Sequence, residues 1–136
     1  MSSSPTDRTG IYVDTSALGR VLLAEPDARV IAETLAASDT RLASRLVRVE
    51  LQRLAYRSGR LGEVDQLLAD VSLVCLDHGV LAEAETVPPP VATLDAIHLV
   101  TALRLSRQNL IDALMTFDLR LAAAAREHGL EVLAPA

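Results

Sequence analysis

Four acidic side chains in this sequence stand where acids do not ordinarily collect. Asp95 lies in the run TLDAIHLV, residues 93–100, which sets an acid and an imidazole among apolar side chains. A carboxylate buried there needs a partner, because the desolvation cost of an unpaired charge is large. Asp14 directly follows the apolar run IYV at 11–13, and Asp118 directly follows ALMTF at 113–117. If those two runs are parallel strands, both carboxylates emerge on one edge of a sheet. Glu50 has Leu46 and Val47 about one turn before it and Leu54 one turn after it. It therefore points inward from the apolar face of a helix. Each acid also has a plainer use: Asp118 as a helix cap, Asp95 at a positive helix end, Asp14 in a turn, Glu50 in an ion pair with Arg53.

Together the four raise a question of charge. Two carboxylates ~5 Å apart repel by roughly 3 kcal/mol at an effective dielectric near 20. Four would either take up protons or capture a cation. All 13 basic residues are arginines, with no lysine anywhere, so arginine or a metal must balance them. An all-oxygen donor set suits Mg²⁺ or Mn²⁺. Such an ion activates water and neutralises phosphate during an in-line displacement. The missing lysine excludes a lysine-bearing phosphate loop and any Schiff base.

The remaining totals narrow the class. A chain of 136 residues suits one compact domain, read as residues 11–136 behind a flexible polar leader over 1–10. Half the residues are hydrophobic but only 2% are aromatic, so Ala, Leu and Val must fill the core. A net charge of −5 argues against holding nucleic acid by bulk electrostatics. Charges interrupt every apolar stretch before the ~20 residues that a membrane span needs. The leader lacks the apolar middle of a signal peptide. The single cysteine, Cys75, is read as a small buried hydrophobe and fits a reducing, cytoplasmic setting.

The elements that must position the acids alternate. Strands are expected at 11–13, 40–44, 72–76, 113–117 and 130–134. Helices are expected at 16–25, 26–38 with Pro26 in its first turn, 45–59 capped by Ser44, 61–71, 79–86, 93–108 capped by Thr93, and 118–129. The prolines at 88–90 demand a non-helical connector. Alternation of this kind gives a three-layer α/β/α sandwich with a mainly parallel five-stranded sheet, and such sheets bind ligands beyond their carboxyl ends.

The segments YVDTSAL, VELQRLAYR, TLDAIHLVTALRL and LMTFDLRLAAAAREHGLEVL, in this order within one short chain, resemble the PIN domain, and within it the VapC toxins of bacterial toxin–antitoxin pairs. The resemblance covers roughly residues 11 to 134. It implies that Asp14, Glu50, Asp95 and Asp118 form an acidic quartet holding Mg²⁺ or Mn²⁺ for RNA phosphodiester cleavage. Ser16 and Thr116 fall where the family often has hydroxyls beside the site, with helix capping or strand-end bonding as the plainer use. DLR after Phe117 departs from the more usual DRR and removes one arginine from the rim. The resemblance further implies a homodimer and a cognate VapB-type antitoxin. Independently, the helices over 16–37 and 46–72 carry more apolar surface than a thin sheet needs, so Val21, Leu22, Leu35 and Leu67 are expected to meet a second copy or a partner.

His98 is read as a satisfied, semi-buried histidine or as a residue that orients a carboxylate. Six arginines between 41 and 60 form either a solvated face or one that steers RNA or receives a partner's acids. Two other classes compete with a nuclease. A phospho-acceptor receiver also groups acids at a parallel sheet edge, but it needs adjacent acids and a lysine. A PIN fold kept as an interaction module would not need all four acids.

Overall fold

Strands buried on both faces carry side chains that alternate between two helical layers, and the first strand does this with three residues. Ile11 and Val13 join one apolar cluster, whereas Tyr12 joins another on the opposite face. The computed structural model describes residues 9–134. Its strands are β1 (Gly10–Val13), β2 (Thr40–Ser44), β3 (Ser72–Val74), β4 (Ala113–Met115) and β5 (Glu131–Leu133). All four pairings are parallel, in the order β3-β2-β1-β4-β5, so the mainly parallel sheet is parallel throughout.

The helices are α1 (Thr15–Leu22), α2 (Ala28–Ala36), α3 (Leu46–Ser58), α4 (Val64–Leu67), α5 (His78–Ala84), α6 (Thr93–Arg107) and α7 (Leu119–Glu127). Helices α1 to α4 cover the sheet face of Ile11, Val13, Ala43 and Met115. Helices α6 and α7 cover the face of Tyr12 and Leu114, giving the expected three layers. The core is built from small side chains; α6 is buried continuously from Ala96 to Leu103. No described helix is long and apolar enough to cross a membrane.

Chain direction across the sheet reverses at β1. The chain runs outward through β2 and β3, then crosses over to β4 and β5 on the other side. The cleft at the carboxyl ends of β1 and β4 is thus the switch point where open parallel sheets bind ligands.

Several expectations need correction. The helix at 61–71 is broken into a 3-10 turn at Leu61–Glu63 and the single turn α4, with Gly62 exposed in the first piece. Glycine raises the entropic cost of a helix that no core face compensates. Pro26 lies in the turn before α2, whose cap position is Asp27. Thr93 is the first helical residue of α6, not its cap. The cap position of α3 is Arg45, not Ser44, although the Ser44 Oγ, at the last position of β2, accepts the Leu46 amide at 3.1 Å. Cys75 is exposed, because β3 ends at Val74 and leaves it in the following loop. Leu22 and Leu35 are buried within the chain's own core and cannot serve as contacts for a second copy. Gly10 already belongs to β1, and the Thr9 amide donates to Asp39 at 2.8 Å. Order therefore begins before residue 11; the rest of the expected leader lies outside the described residues.

Candidate active site

Asp14 is the residue after β1, and its backbone places it as the cap of α1. Its Oδ1 accepts the Ala17 amide at 3.1 Å and the Ser16 hydroxyl at 2.7 Å. Its Oδ2 accepts the Thr116 hydroxyl at 2.5 Å. The direction of both hydroxyls is fixed from the far side. Ser16 Oγ accepts the Phe117 amide at 2.8 Å, and Thr116 Oγ1 accepts the Asp118 amide at 3.0 Å. Each hydroxyl must then turn its one hydrogen toward Asp14. The β1–α1 and β4–α7 connections are thereby bonded through a single carboxylate. The two expected hydroxyls do line the site. Burial drives the Asp14 carboxyl above the ordinary carboxylate range, against the hydrogen bonds from Thr116 and Ser16 that favour its ionised form.

Glu50 comes to the same edge from α3, in the helical layer that also holds α1. Its Oε1 accepts the Thr15 hydroxyl at 2.5 Å and lies 2.9 Å from His98 Nε2. Burial pushes its carboxyl up, but the bonds from His98 and Thr15 outweigh that and hold it below the ordinary range. Arg53, the alternative partner, is exposed and forms no ion pair with it. Asp118 caps α7 through Oδ1, which accepts the Leu121 amide at 2.8 Å.

Asp95, in the first turn of α6, is half-buried. Its carboxyl is pushed up to about 6, by burial first and then by the charges of Asp118, Asp14 and Glu50, with His98 opposing. Thr116 bonds the Asp14 carboxylate and the Asp118 amide, and Glu50 bonds Thr15, the residue after Asp14. Among the described residues no arginine lies within ion-pairing distance of Asp14, Asp95 or Asp118. The plain uses as caps hold for Asp14 and Asp118 as well, since a cap occupies only part of a carboxylate.

Each acid keeps acceptor capacity to spare. Asp14 Oδ2 has one hydrogen bond; Glu50 Oε2 and Asp118 Oδ2 have none among the described residues, nor does either oxygen of Asp95. With about four acceptor positions per carboxylate, this is spare capacity for a hard cation. Among the described residues no three His, Cys, Asp or Glu side chains are grouped so that they could hold a metal ion together. Mg²⁺ does not require such a group, as it retains several waters and takes one or two carboxylates directly. The charge, the all-oxygen donors and the open positions fit such an ion.

Two participants escaped the sequence reading. Thr15 bonds Glu50 from a helix 35 residues away, and Tyr12 bonds His98 at 2.7 Å. A signal existed for Tyr12: a phenol in a strand buried on both faces must find a polar partner. The arginine cluster divides into separate roles. Arg41 bonds the backbone carbonyls of Leu35, Ser38 and Asp70, while Arg48 and Arg60 pair with Asp65 and Glu63. Arg45, Arg53 and Arg57 have no such acid among the described residues.

Comparison with known proteins agrees with this geometry. The PIN domain model matches residues 11–127. Ribonuclease VapC47 of Mycobacterium tuberculosis (strain CDC 1551 / Oshkosh) is 35% identical over 92% of this chain and 96% of its own length. Ribonuclease VapC46 of Mycobacterium tuberculosis (strain ATCC 25618 / H37Rv) is 34% identical over 92% and 97% respectively. Two solved structures share the fold. One is a toxin–antitoxin complex from Klebsiella pneumoniae, with TM-score 0.70 and 18% identity over 93% of this chain and 98% of that one. The other is Mycobacterium tuberculosis VapC20, a Sarcin-Ricin loop cleaving toxin, with TM-score 0.70 and 17% identity over 92% and 99%. The protein belongs to the PIN-domain family, among the VapC toxins.

Proposed function

We propose that this chain is a Mg²⁺- or Mn²⁺-dependent endoribonuclease, the toxin of a type II toxin–antitoxin pair. The observation that carries the reading is the quartet itself. Asp14, Glu50, Asp95 and Asp118 stand near the switch point, no arginine among the described residues lies within ion-pairing distance of Asp14, Asp95 or Asp118, and Glu50, Asp95 and Asp118 each keep an oxygen with no hydrogen bond there. The curated relatives that match most of the chain are named ribonucleases, which supports the reaction class.

Asp14, Glu50, Asp95 and Asp118 would hold the ion, which when bound supplies an activated water and charge neutralisation at the scissile phosphate. The chain's own residues prepare the place. Ser16 and Thr116 hold Asp14 in one rotamer and leave Oδ2 with a single hydrogen bond. Asp95, whose carboxyl is pushed up to about 6, is ionised above that pH and would then serve as an acceptor for the ion. RNA approaches along α3, where Arg53 and Arg57 follow Glu50 at helical spacing on either side of the exposed Tyr56. An aromatic face between two cations suits a single-stranded base and its phosphates. A receiver-type reading has no support, since the sheet edge has no lysine to offer.

A cognate antitoxin fits the groove of about 420 Å³ between α1, α2 and α4, where Val21, Leu67 and Val71 offer apolar surface and Arg41, Gln66 and Asp70 offer polar groups. An amphipathic segment laid there would turn an Arg or Lys toward Asp14 and Asp95. Replacing that cation with Ala should restore cleavage inside a complex that still forms; a silent complex would make the block purely steric. The homodimer belongs to the same reading, and a strict monomer by light scattering at high micromolar concentration would remove it.

The experiment is RNA cleavage by the purified chain with Mg²⁺, with Mn²⁺, and with a chelator, alongside Asp14→Asn. Cleavage that needs metal and disappears in the variant, with the fold retained, supports the proposal. Equal cleavage in chelator, or a fully active Asp14→Asn, overturns it.

A further inference from the structure

Behind Glu50 stands a line of buried polar groups that capping and packing do not require. Tyr12 lies in the core on the α6 side of the sheet and is 0% exposed; His98, on α6, is 1% exposed. The Tyr12 hydroxyl accepts the Ser44 amide at 3.1 Å and lies 2.7 Å from His98 Nδ1. On the other side of the imidazole, Nε2 lies 2.9 Å from Glu50 Oε1. The line therefore runs from the end of β2, through β1 and α6, to a carboxylate on α3.

Its directions follow from chemistry. Glu50 Oε1 already accepts the Thr15 hydroxyl and lies 2.9 Å from Nε2, so this oxygen is the acceptor and Nε2 carries the hydrogen between them. Burial keeps the Tyr12 phenol protonated. One of its lone pairs is taken by the Ser44 amide, and its own hydrogen is directed to Nδ1. The rings meet edge to face at 70°, which adds packing but does not by itself align donors with acceptors. Thr15 fixes the same Glu50 oxygen from α1 at 2.5 Å.

We infer that His98, held as its Nε2–H tautomer by Tyr12, is a positioning residue that pins Glu50 through Oε1 and leaves Oε2 for the cation of the carboxylate cluster. The inference rests on the ribonuclease reading for its purpose, but its geometry stands without it. Outer-sphere partners of this kind fix ligand orientation, and removing one costs about 10–100-fold in metal affinity or activity.

Three measurements on the full chain test it. Long-range ¹⁵N–¹H correlation should show His98 with Nε2 protonated and Nδ1 bare. A hydrogen on Nδ1 instead overturns the inference whatever the nuclease assay gives. Calorimetric Mn²⁺ binding and RNA cleavage are then compared for the wild type, His98→Leu and His98→Gln, with folding checked by circular dichroism. The Leu variant should lose about 10–100-fold in both. The Gln variant, whose amide nitrogen replaces Nε2 as donor, should recover most of that loss. Equal loss in a folded Gln variant, or none in a folded Leu variant, makes His98 a packing residue and overturns the inference. Should Leu fail to fold, Gln against wild type still decides. A wild type that neither binds Mn²⁺ nor cuts RNA defeats the ribonuclease reading, and the tautomer alone then decides the relay.

Discussion

Asp95→Asn should make the metal-free protein more stable, and by an amount that depends on pH. The carboxyl is pushed from an ordinary 3.8 to about 6 by burial and by three neighbouring carboxylates. Such a rise corresponds to about 3 kcal/mol of preference for the neutral form. Asp95 is half-buried, so solvent screening reduces this to about 1–1.5 kcal/mol. Asparagine forgoes the favourable meeting of a negative charge with the α6 N-terminus, which returns about 0.3–0.5 kcal/mol. The net gain is about 1 kcal/mol. Its sign against pH follows from linkage: below about pH 4 the carboxyl is neutral in both the folded and unfolded chain, and no penalty exists. Between about pH 4 and 6 the unfolded chain loses its proton first, so the wild type loses stability as pH rises through that window. Above it the full penalty is present, and the variant should lead by its whole margin. Denaturant unfolding of both proteins in chelator, from pH 3.5 to 8, reads this difference directly. Adding Mg²⁺ should reverse the order, since only the wild type gains binding energy in proportion to its affinity. A difference that is independent of pH, or a variant less stable at pH 8 in chelator, would refute the charge crowding on which the reasoning stands.

Two further outcomes follow from other parts of the fold. Gly10→Ala would put a methyl 2.2 Å from the Leu110 carbonyl oxygen, at the point where the Asp112 amide bonds Gly10 and pins the start of β4 to β1. It should cost about 2–4 kcal/mol in denaturant unfolding, and a loss under 0.5 kcal/mol would show that the chain relaxes there freely. The double variant Arg53→Ala, Arg57→Ala should weaken RNA binding and reduce the slope of log affinity against log salt by about 1.4, at ~0.7 for each phosphate contact on a single strand. An unchanged slope would remove α3 from the RNA path.

The outline of the site was legible because acids at strand ends obey local rules. Asp14 and Asp118 each follow an apolar run, and parallel pairing of β1 with β4 does bring those ends together. Glu50 was legible through its helical neighbours, Asp95 through its place in a first turn. What lay beyond reach was pairing between distant segments. Tyr12 and His98 are 86 positions apart, and nothing in either neighbourhood names the other. The assignment of Leu22 and Leu35 to a contact surface failed for a related reason: an amphipathic helix shows that it has an apolar face, but not which partner covers it. The region 61–71 carried enough apolar residues for a helix, yet only Val64 and Leu68 are fully buried, with Leu67 and Val71 half-buried against the core, and the segment folds as short turns.

The central claim is that four carboxylates hold one divalent site at the switch point of the sheet. Anomalous diffraction from crystals of the chain grown with Mn²⁺ tests it most directly. The expected result is a Mn²⁺ peak in the cleft, contacted by Asp14 and at least one other of Glu50, Asp95 and Asp118, directly or through water, and lost in Asp14→Asn crystals grown the same way. A peak at other acids with this cleft empty, or one that persists unchanged in Asp14→Asn, would contradict it.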